Sequence, residues 1–260
     1  MSLSPAASFD LQATEFDRRA GLGEQIARAV AAAVVAMTGV GPGERLLEIG
    51  AGTGLVGRWL LEQPVRYLGL DVSRPMLEVF RRRAAGAPLV QADAALPWPL
   101  PDGAARAVFG SRALHLLPEE HVVEEVFRVA ASGAACVIGR VERPPESVKA
   151  LLAREMRRRL RARGFVPRSA GGGRLLKALL GRGARELPRT VVASWPTGHS
   201  PRRALADWRR KEGLGGIVLP PGVQEKVLRE LEEWAAAELG GLDAEREAEE
   251  SYLLEAVGLP

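Results

Sequence analysis

Cysteine, aromatic residues and long apolar runs are scarce in this sequence of 260 residues. Its single cysteine, Cys136, excludes an internal disulfide and a zinc cluster of several thiolates, and we expect no metal site. The longest purely apolar run covers residues 29–37, far short of the roughly 20 residues that span a bilayer. The start of the sequence lacks the basic and apolar regions of a signal peptide. We therefore expect a cytoplasmic protein without a membrane span.

Asparagine is absent, and lysine occurs only four times among 36 basic residues. The loss of heat-labile amides fits a thermophilic source, and a GC-rich genome explains it equally well.

The formal net charge of +4 hides an uneven distribution along the chain. Residues 1–139 carry a net charge of −2, residues 140–212 carry +14, and residues 213–260 carry −8. Any argument for an acidic partner therefore concerns the middle segment alone.

Helix and strand patterns alternate through the first 140 residues. Apolar runs predict strands at 45–49, 67–70, 88–92, 105–110 and 135–141, with helices between them. This alternation indicates a parallel sheet with helices on both faces, which is an α/β fold. The later part is predicted to contain a basic helix at 144–163, a β-like segment at 189–195, helices at 201–212 and 220–239, and a strand at 251–257.

A glycine-rich turn follows the first predicted strand in the stretch LLEIGAGTG, residues 46–54. Glycines there permit a tight turn, and the next helix start presents free N–H groups to a polar ligand. The spacing also fits a dinucleotide-binding fingerprint, but Glu48 places a carboxylate where a pyrophosphate gains nothing from it. Asp71 and Asp93 end the next two strands. Three acids at successive strand ends favour a cationic adenosine compound, and a dehydrogenase is the distant alternative.

Four blocks in order carry a family resemblance: LLEIGAGTG, YLGLDVSRPML, VQADAALPWP and AVFGSRALHLLP. Together they resemble the class I S-adenosylmethionine-dependent methyltransferases, closest to the small-molecule branch that includes quinone-biosynthesis enzymes. The resemblance covers residues 40–141 well and the remainder only by the order of elements. It implies a Rossmann-like, mostly parallel sheet of seven strands, the last antiparallel, with helical cap insertions over the substrate.

The resemblance also implies one methyltransferase domain over residues 1–260. Within it we expect an N-terminal lid and helix at 1–44 and a cofactor-binding core at 45–141. The helical cap would comprise 142–184 and 200–247, and the final strands would lie at 185–197 and 248–258.

The resemblance assigns cofactor-binding roles by position, for S-adenosyl-L-methionine and its product S-adenosyl-L-homocysteine. The loop around the methionine part would comprise Glu48, Gly50, Ala51 and Gly52, with Ser111 beside it. Asp71 would hold the ribose hydroxyls, and Val72 and Met76 would flank the adenine. Asp93 would accept from the adenine amino group, with a backbone contact from Ala94. The alternative for either aspartate is an ordinary helix-capping or turn acid.

Methyl transfer is an in-line displacement, and a base is needed only if the acceptor must lose a proton. His115 is the candidate base, with a pocket-lining role as its alternative. His199 is a candidate for the edge of the substrate cleft. Phe16 and Arg19 are candidates for a lid over the cofactor, although the family usually has a tyrosine near Phe16.

The acceptor class follows partly from what the sequence lacks. Enzymes that methylate exocyclic amines carry an Asn/Asp-Pro-Pro-aromatic block where this chain has residues 111–114, Ser-Arg-Ala-Leu. We therefore expect a small-molecule methyl acceptor. The alternatives are an RNA methyltransferase that uses the basic segment 140–212, and a non-catalytic cofactor-binding module.

The basic segment itself has three interpretations. Arg154, Arg157, Arg158 and Arg161 could bind RNA phosphates. They could instead pair with the acidic segment 225–250, or form a lid over an acidic small molecule. Few aromatic residues are present to stack bases, which weakens the RNA interpretation.

Overall fold

The computed structural model describes residues 22–167, 173–210 and 213–260. The described chain divides into two compact units. Unit 1 comprises residues 22–140, 173–193 and 252–260, and unit 2 comprises residues 141–167, 194–210 and 213–251. The interpretation of the later helices as a cap within one domain stays a prediction.

Eight strands form one sheet in the described part of the chain. They are β1 (Arg45–Ile49), β2 (Arg66–Asp71), β3 (Leu89–Gln91), β4 (Ala105–Ser111), β5 (Ala130–Glu142), β6 (Arg185–Glu186), β7 (Thr190–His199) and β8 (Arg246–Gly258). Their order in the sheet is β3-β2-β1-β4-β5-β8-β6, and β7 also pairs with β8. The first five strands pair in parallel, and β6 pairs with β8 antiparallel.

The helices of the described residues alternate with the strands through the first half of the chain. They are α1 (Glu24–Thr38), α2 (Gly57–Leu60), α3 (Arg74–Arg83), α4 (Glu119–Val129), α5 (Val148–Arg161), α6 (Gly173–Gly181), α7 (Pro201–Arg209) and α8 (Val223–Glu238). A short 3-10 turn spans Leu114–Leu116. Among the residues described, no helix combines the length and apolar character that crossing a membrane requires.

The predicted Rossmann-like, mostly parallel α/β fold is confirmed, with one strand more than expected. The segment predicted as one strand at 185–197 forms two strands, β6 and β7. Pro188 lies between them, and proline has no N–H to donate to a strand partner. Leu187 still donates to the Ala256 carbonyl, so the interruption is local.

A topological switch lies between β1 and β4. The chain builds β1, β2 and β3 outward in one direction and then returns to place β4 on the other side of β1. In open parallel sheets, ligands bind beyond the carboxyl ends of the strands at such a switch. We therefore expect the ligand site among the residues at and after the ends of β1, β2, β3 and β4.

Unit 1 is built around apolar side chains of the central strands. Leu47, Ile49, Leu70 and Val108 are buried in one cluster with apolar residues of α4 and α6. Such burial removes apolar surface from water and fixes the strand ends relative to one another.

Unit 2 has its own apolar core. In α5, Val148, Leu152, Met156 and Leu160 recur every four residues and form one buried face. This face packs with apolar side chains of α7 and α8, including Leu205, Val227, Leu228 and Leu231. The arginines of α5 therefore lie on its remaining surface.

Candidate active site

The turn after β1 is held against the end of β2 by backbone hydrogen bonds. The amides of Gly50 and Ala51 both donate to the Leu70 carbonyl, at 2.8 and 3.0 Å. Gly50 has a φ of +73°, and a β-carbon there would overlap the side chain of Ala113. Gly52 also has a positive φ, of +54°. Glycine is thus required at Gly50 for both its backbone conformation and its close packing.

Asp71 joins the glycine turn to the start of α3. Its Oδ2 accepts from the Gly52 amide and its Oδ1 accepts from the Ser73 amide, each at 2.8 Å. A carboxylate oxygen can accept more than one hydrogen bond. Asp71 is therefore both a turn acid and a group able to receive the two hydroxyls of a ribose.

The two residues that would flank an adenine lie one and five positions after Asp71. Val72 is half-buried, whereas Met76 is buried in the first turn of α3. The Met76 amide donates to the N-cap side chain of Ser73 at 3.4 Å. This cap fixes the start of α3 beside the end of β2.

Asp93 follows β3 and is half-buried. Its Oδ1 accepts from the Ala95 amide at 2.9 Å, which is the geometry of an Asx turn. Within the described residues its Oδ2 has no partner, so one oxygen can accept from a ligand. Ala94 is buried, and its carbonyl accepts from the indole N–H of Trp98 at 3.0 Å.

The end of β4 contains a hydroxyl pair that the sequence did not indicate. Ser111 Oγ and the hydroxyl of Tyr252 are 2.5 Å apart, and Tyr252 comes from β8. Burial raises the pKa of Tyr252 to about 12, so its hydroxyl keeps its proton. Nothing local in the sequence connects these two residues, because they are 141 positions apart.

Arg112 follows Ser111 with a left-handed backbone, at φ +58°. Among the described residues other than glycine, no other has a positive φ. Its amide donates to the Gly139 carbonyl at 2.9 Å, which holds the turn in place. Strained backbone of this kind often occurs at functional sites.

Glu48 lies in β1, buried beside the glycine turn. Tyr67 donates to its Oε2 at 2.5 Å, and a β-carbon on Gly57 would collide with both groups. Burial raises the pKa of Glu48 to about 8, against the opposing effect of the Tyr67 hydrogen bond. At neutral pH the carboxyl is therefore mostly protonated in the ligand-free protein. The sequence-based interpretation assumes that Glu48 is ionised. At neutral pH this requires a cationic ligand beside the carboxyl, because a nearby positive charge lowers its pKa.

The remaining predicted residues have different placements. His115 is exposed in the 3-10 turn after β4. His199 belongs to unit 2, where its Nε2 lies 3.6 Å from Glu250. Burial, followed by the charge of Lys149, lowers the pKa of His199. Phe16 and Arg19 lie outside the described residues.

A mostly parallel sheet with this strand order, a glycine turn after β1 and acids after β2 and β3 defines the class I methyltransferase fold. Residues 46–133 match the model of a family described as a methyltransferase domain. This part of the chain is a class I S-adenosylmethionine-dependent methyltransferase domain.

Similar proteins agree with this identification. The chain is 32% identical over 129 residues to the malonyl-[acyl-carrier protein] O-methyltransferase of Serratia marcescens. That alignment covers 49% of this chain and 49% of the relative, so the match spans about half of each protein.

Solved structures share the fold at low sequence identity. A candidate methyltransferase from Bacillus halodurans matches with a TM-score of 0.60 and 17% identity, covering 88% of this chain and 98% of that chain. The geranyl diphosphate C-methyltransferase of Streptomyces coelicolor matches with a TM-score of 0.52 and 14% identity, covering 89% and 80%. Its structure contains S-adenosyl-L-homocysteine.

Proposed function

We propose that the protein transfers a methyl group from S-adenosyl-L-methionine to a small-molecule acceptor. The observation that carries the proposal is the hydrogen-bonded edge at the ends of β1, β2 and β3. There the glycine turn, Asp71 and Asp93 follow adjacent parallel strands, and Asp71 bonds directly to the turn. This edge has the donors and acceptors that an adenosine ligand requires.

In this proposal each group binds a separate part of the cofactor. Asp71 accepts from the ribose hydroxyls through its carboxylate oxygens, and Asp93 Oδ2 accepts from the adenine amino group. Positive-φ glycines allow the backbone at Gly50 and Gly52 to approach the methionine part closely. The Ser111–Tyr252 pair supplies hydroxyls at the neighbouring strand end. These groups are positioned by the fold before the ligand arrives, which reduces the entropic cost of binding.

The bound cofactor supplies an electrophilic methyl group on a sulfonium. The protein's task is then to hold the acceptor in line and to exclude water. A protein base is required only for an acceptor that must lose a proton. His115 is the candidate for that role, and its exposed position suits an exchange of protons with solvent.

Two observations support a small-molecule acceptor over a nucleobase. Cys136 is completely buried in β5, and burial raises the pKa of its thiol to about 12, so it is unsuited to act as a cytosine C5 nucleophile. The relative from Serratia marcescens is named for a malonyl group on an acyl-carrier protein, and the Streptomyces coelicolor enzyme for geranyl diphosphate. Neither name refers to a nucleic acid.

The cofactor part of the proposal is tested by calorimetry with S-adenosyl-L-homocysteine. Asp71→Ala removes two charge-assisted hydrogen bonds to ribose and should weaken binding about 100-fold or more. Asp93→Ala should weaken it about tenfold. Asp102→Ala is the matched control, because Asp102 is exposed and its one ion pair among the described residues is with Arg128 at the surface.

Asp71→Asn keeps the shape of the side chain and one acceptor oxygen, but its NH2 group faces the Gly52 or the Ser73 amide. We expect it to lose binding and to melt at a lower temperature than the wild type, so binding is measured well below the melting range of both variants. Unchanged binding in both Asp71 variants would contradict the proposal.

The acceptor part is tested by labelled-methyl transfer into a cell extract that is then fractionated. We expect label in the small-molecule fraction. Label in the RNA fraction would show that the acceptor is RNA and not a small molecule, and it would leave the cofactor proposal intact. Binding of the cofactor without transfer into any fraction would support a non-catalytic module.

A further inference from the structure

The basic segment is only partly neutralised within unit 2. Arg158 donates to Glu155 through Nε at 2.7 Å, and Arg159 donates to Glu230 at 3.0 Å. Arg163 also pairs with Glu230. Further along unit 2, Arg209 pairs with Glu225 and Glu232, and Arg202 pairs with Asp243. The predicted pairing with the acidic segment 225–250 is therefore present for Arg159, Arg163, Arg202 and Arg209, whereas Arg158 pairs with an acid of its own helix.

Three arginines of α5 are exceptions, namely Arg154, Arg157 and Arg161. They occur at positions i, i+3 and i+7, so they share one face of the helix over about 10 Å of its length. Within the described residues none of them has a hydrogen bond or an ion pair to a carboxylate. We call these three residues the α5 stripe.

Arg157 shows that this arrangement is unfavourable without a ligand. Its side chain is half-buried, and burial followed by the charge of Arg161 lowers the pKa of its guanidinium. Like charges four residues apart destabilise a helix, and burial of an unpaired charge costs more. Glu230 of α8 pairs with Arg159 on the opposite side of α5 and leaves this side positive.

We propose that the α5 stripe binds a phosphate group of a small ligand. A phosphate carries close to two negative charges at neutral pH and offers several acceptor oxygens, which suits two or three guanidinium groups. A single carboxylate would leave most of the positive charge of the stripe uncompensated. Arginine side chains are long enough to converge on one group from adjacent helical turns.

RNA fits the stripe less well than a small ligand. Proteins that bind single-stranded RNA combine a basic groove with aromatic side chains on which the bases stack. Phe165, Trp208 and Trp234 of unit 2 instead pack against its apolar core. A stripe of about 10 Å is also short for a polymer whose affinity depends on many phosphate contacts.

The test is calorimetric titration with inorganic phosphate and pyrophosphate at low ionic strength. The variant Arg157→Gln/Arg161→Gln should lose at least about tenfold in affinity. Lys226→Gln/Arg229→Gln is the matched control, because it also removes two positive charges, from exposed residues of α8 outside the stripe. Its affinity should stay within about twofold of the wild type. Acetate at equal ionic strength should bind at least about tenfold more weakly than phosphate.

Melting temperatures show whether a loss of phosphate binding results from misfolding of the variant. Removal of a like-charged pair should leave the melting temperature of the double variant unchanged or higher. Absence of phosphate binding, or an equal loss in Lys226→Gln/Arg229→Gln, would overturn the proposal. Salt-sensitive binding of a short RNA that phosphate fails to displace would overturn it in favour of a nucleic acid. The titrations contain no S-adenosylmethionine, so their outcome is independent of the proposed methyl transfer.

Discussion

Glu48 and Tyr67 form a hydrogen-bonded pair in a part of unit 1 that water does not reach. Burial there disfavours the charged form of the acid, which raises its pKa from 4.5 to about 8. The consequence is a protein whose stability depends on pH through a buried residue of β1 beside the glycine turn.

The folded protein retains a proton on Glu48 that the unfolded chain loses as pH rises above 4.5. Since the unfolded state then binds fewer protons, stability falls between pH 4.5 and about 8. Glu48→Gln removes this contribution, so the wild type should lose more stability than the variant over that window. The difference is at most roughly 4–5 kcal/mol, because one pKa unit corresponds to about 1.4 kcal/mol.

Urea unfolding of both proteins at several pH values measures this effect. Glu78→Gln is the control, because Glu78 is partly exposed and pairs with Arg74 at the surface. Parallel pH profiles for the wild type and Glu48→Gln would show that burial does not perturb this acid.

Among the elements, the turn between β1 and α2 depends most on glycine. Two separate demands meet at Gly50, a left-handed backbone and contact with Ala113. Gly39 has a similar φ of +62°, but no atom lies within 4 Å of a β-carbon added there. The two glycines therefore distinguish conformational strain from steric overlap.

Gly39→Ala should cost about 1 kcal/mol, which reflects the backbone conformation alone. Gly50→Ala should cost about 2–4 kcal/mol, because the overlap with Ala113 adds to that strain. Denaturant unfolding measures both values. Ala113→Gly in the Gly50→Ala background should restore part of the loss, and equal costs at Gly39 and Gly50 would disprove the steric argument.

At the scale of the whole molecule, the sequence predicted the regular part of unit 1 well. The bounds of β1 agree with the prediction at both ends, since a short apolar run between a glycine stop and a glycine turn has few alternatives. The split of β6 from β7 was missed, although Pro188 could have indicated it.

Contacts between residues far apart in the chain could not be predicted from local sequence patterns. Tyr252 meets Ser111 only because β8 lies next to β5 in the sheet. The composition showed that residues 140–212 are basic, but only the structure separates the neutralised arginines from the α5 stripe. The roles of the predicted cofactor-binding residues stay predictions.

The distance along the chain between Ser111 and Tyr252 has a consequence for the order of folding. The bond from Gly52 to Asp71 closes a loop of 19 residues, whereas the hydroxyl pair closes one of 141. Longer loops cost more entropy to close, so contacts of high sequence separation tend to form later. Pulse-labelled hydrogen exchange during refolding should therefore protect the Gly52 amide before the amides of β8. Simultaneous protection would show a single concerted step, whereas the expected order means that the turn after β1 is locked to β2 before β8 completes the sheet.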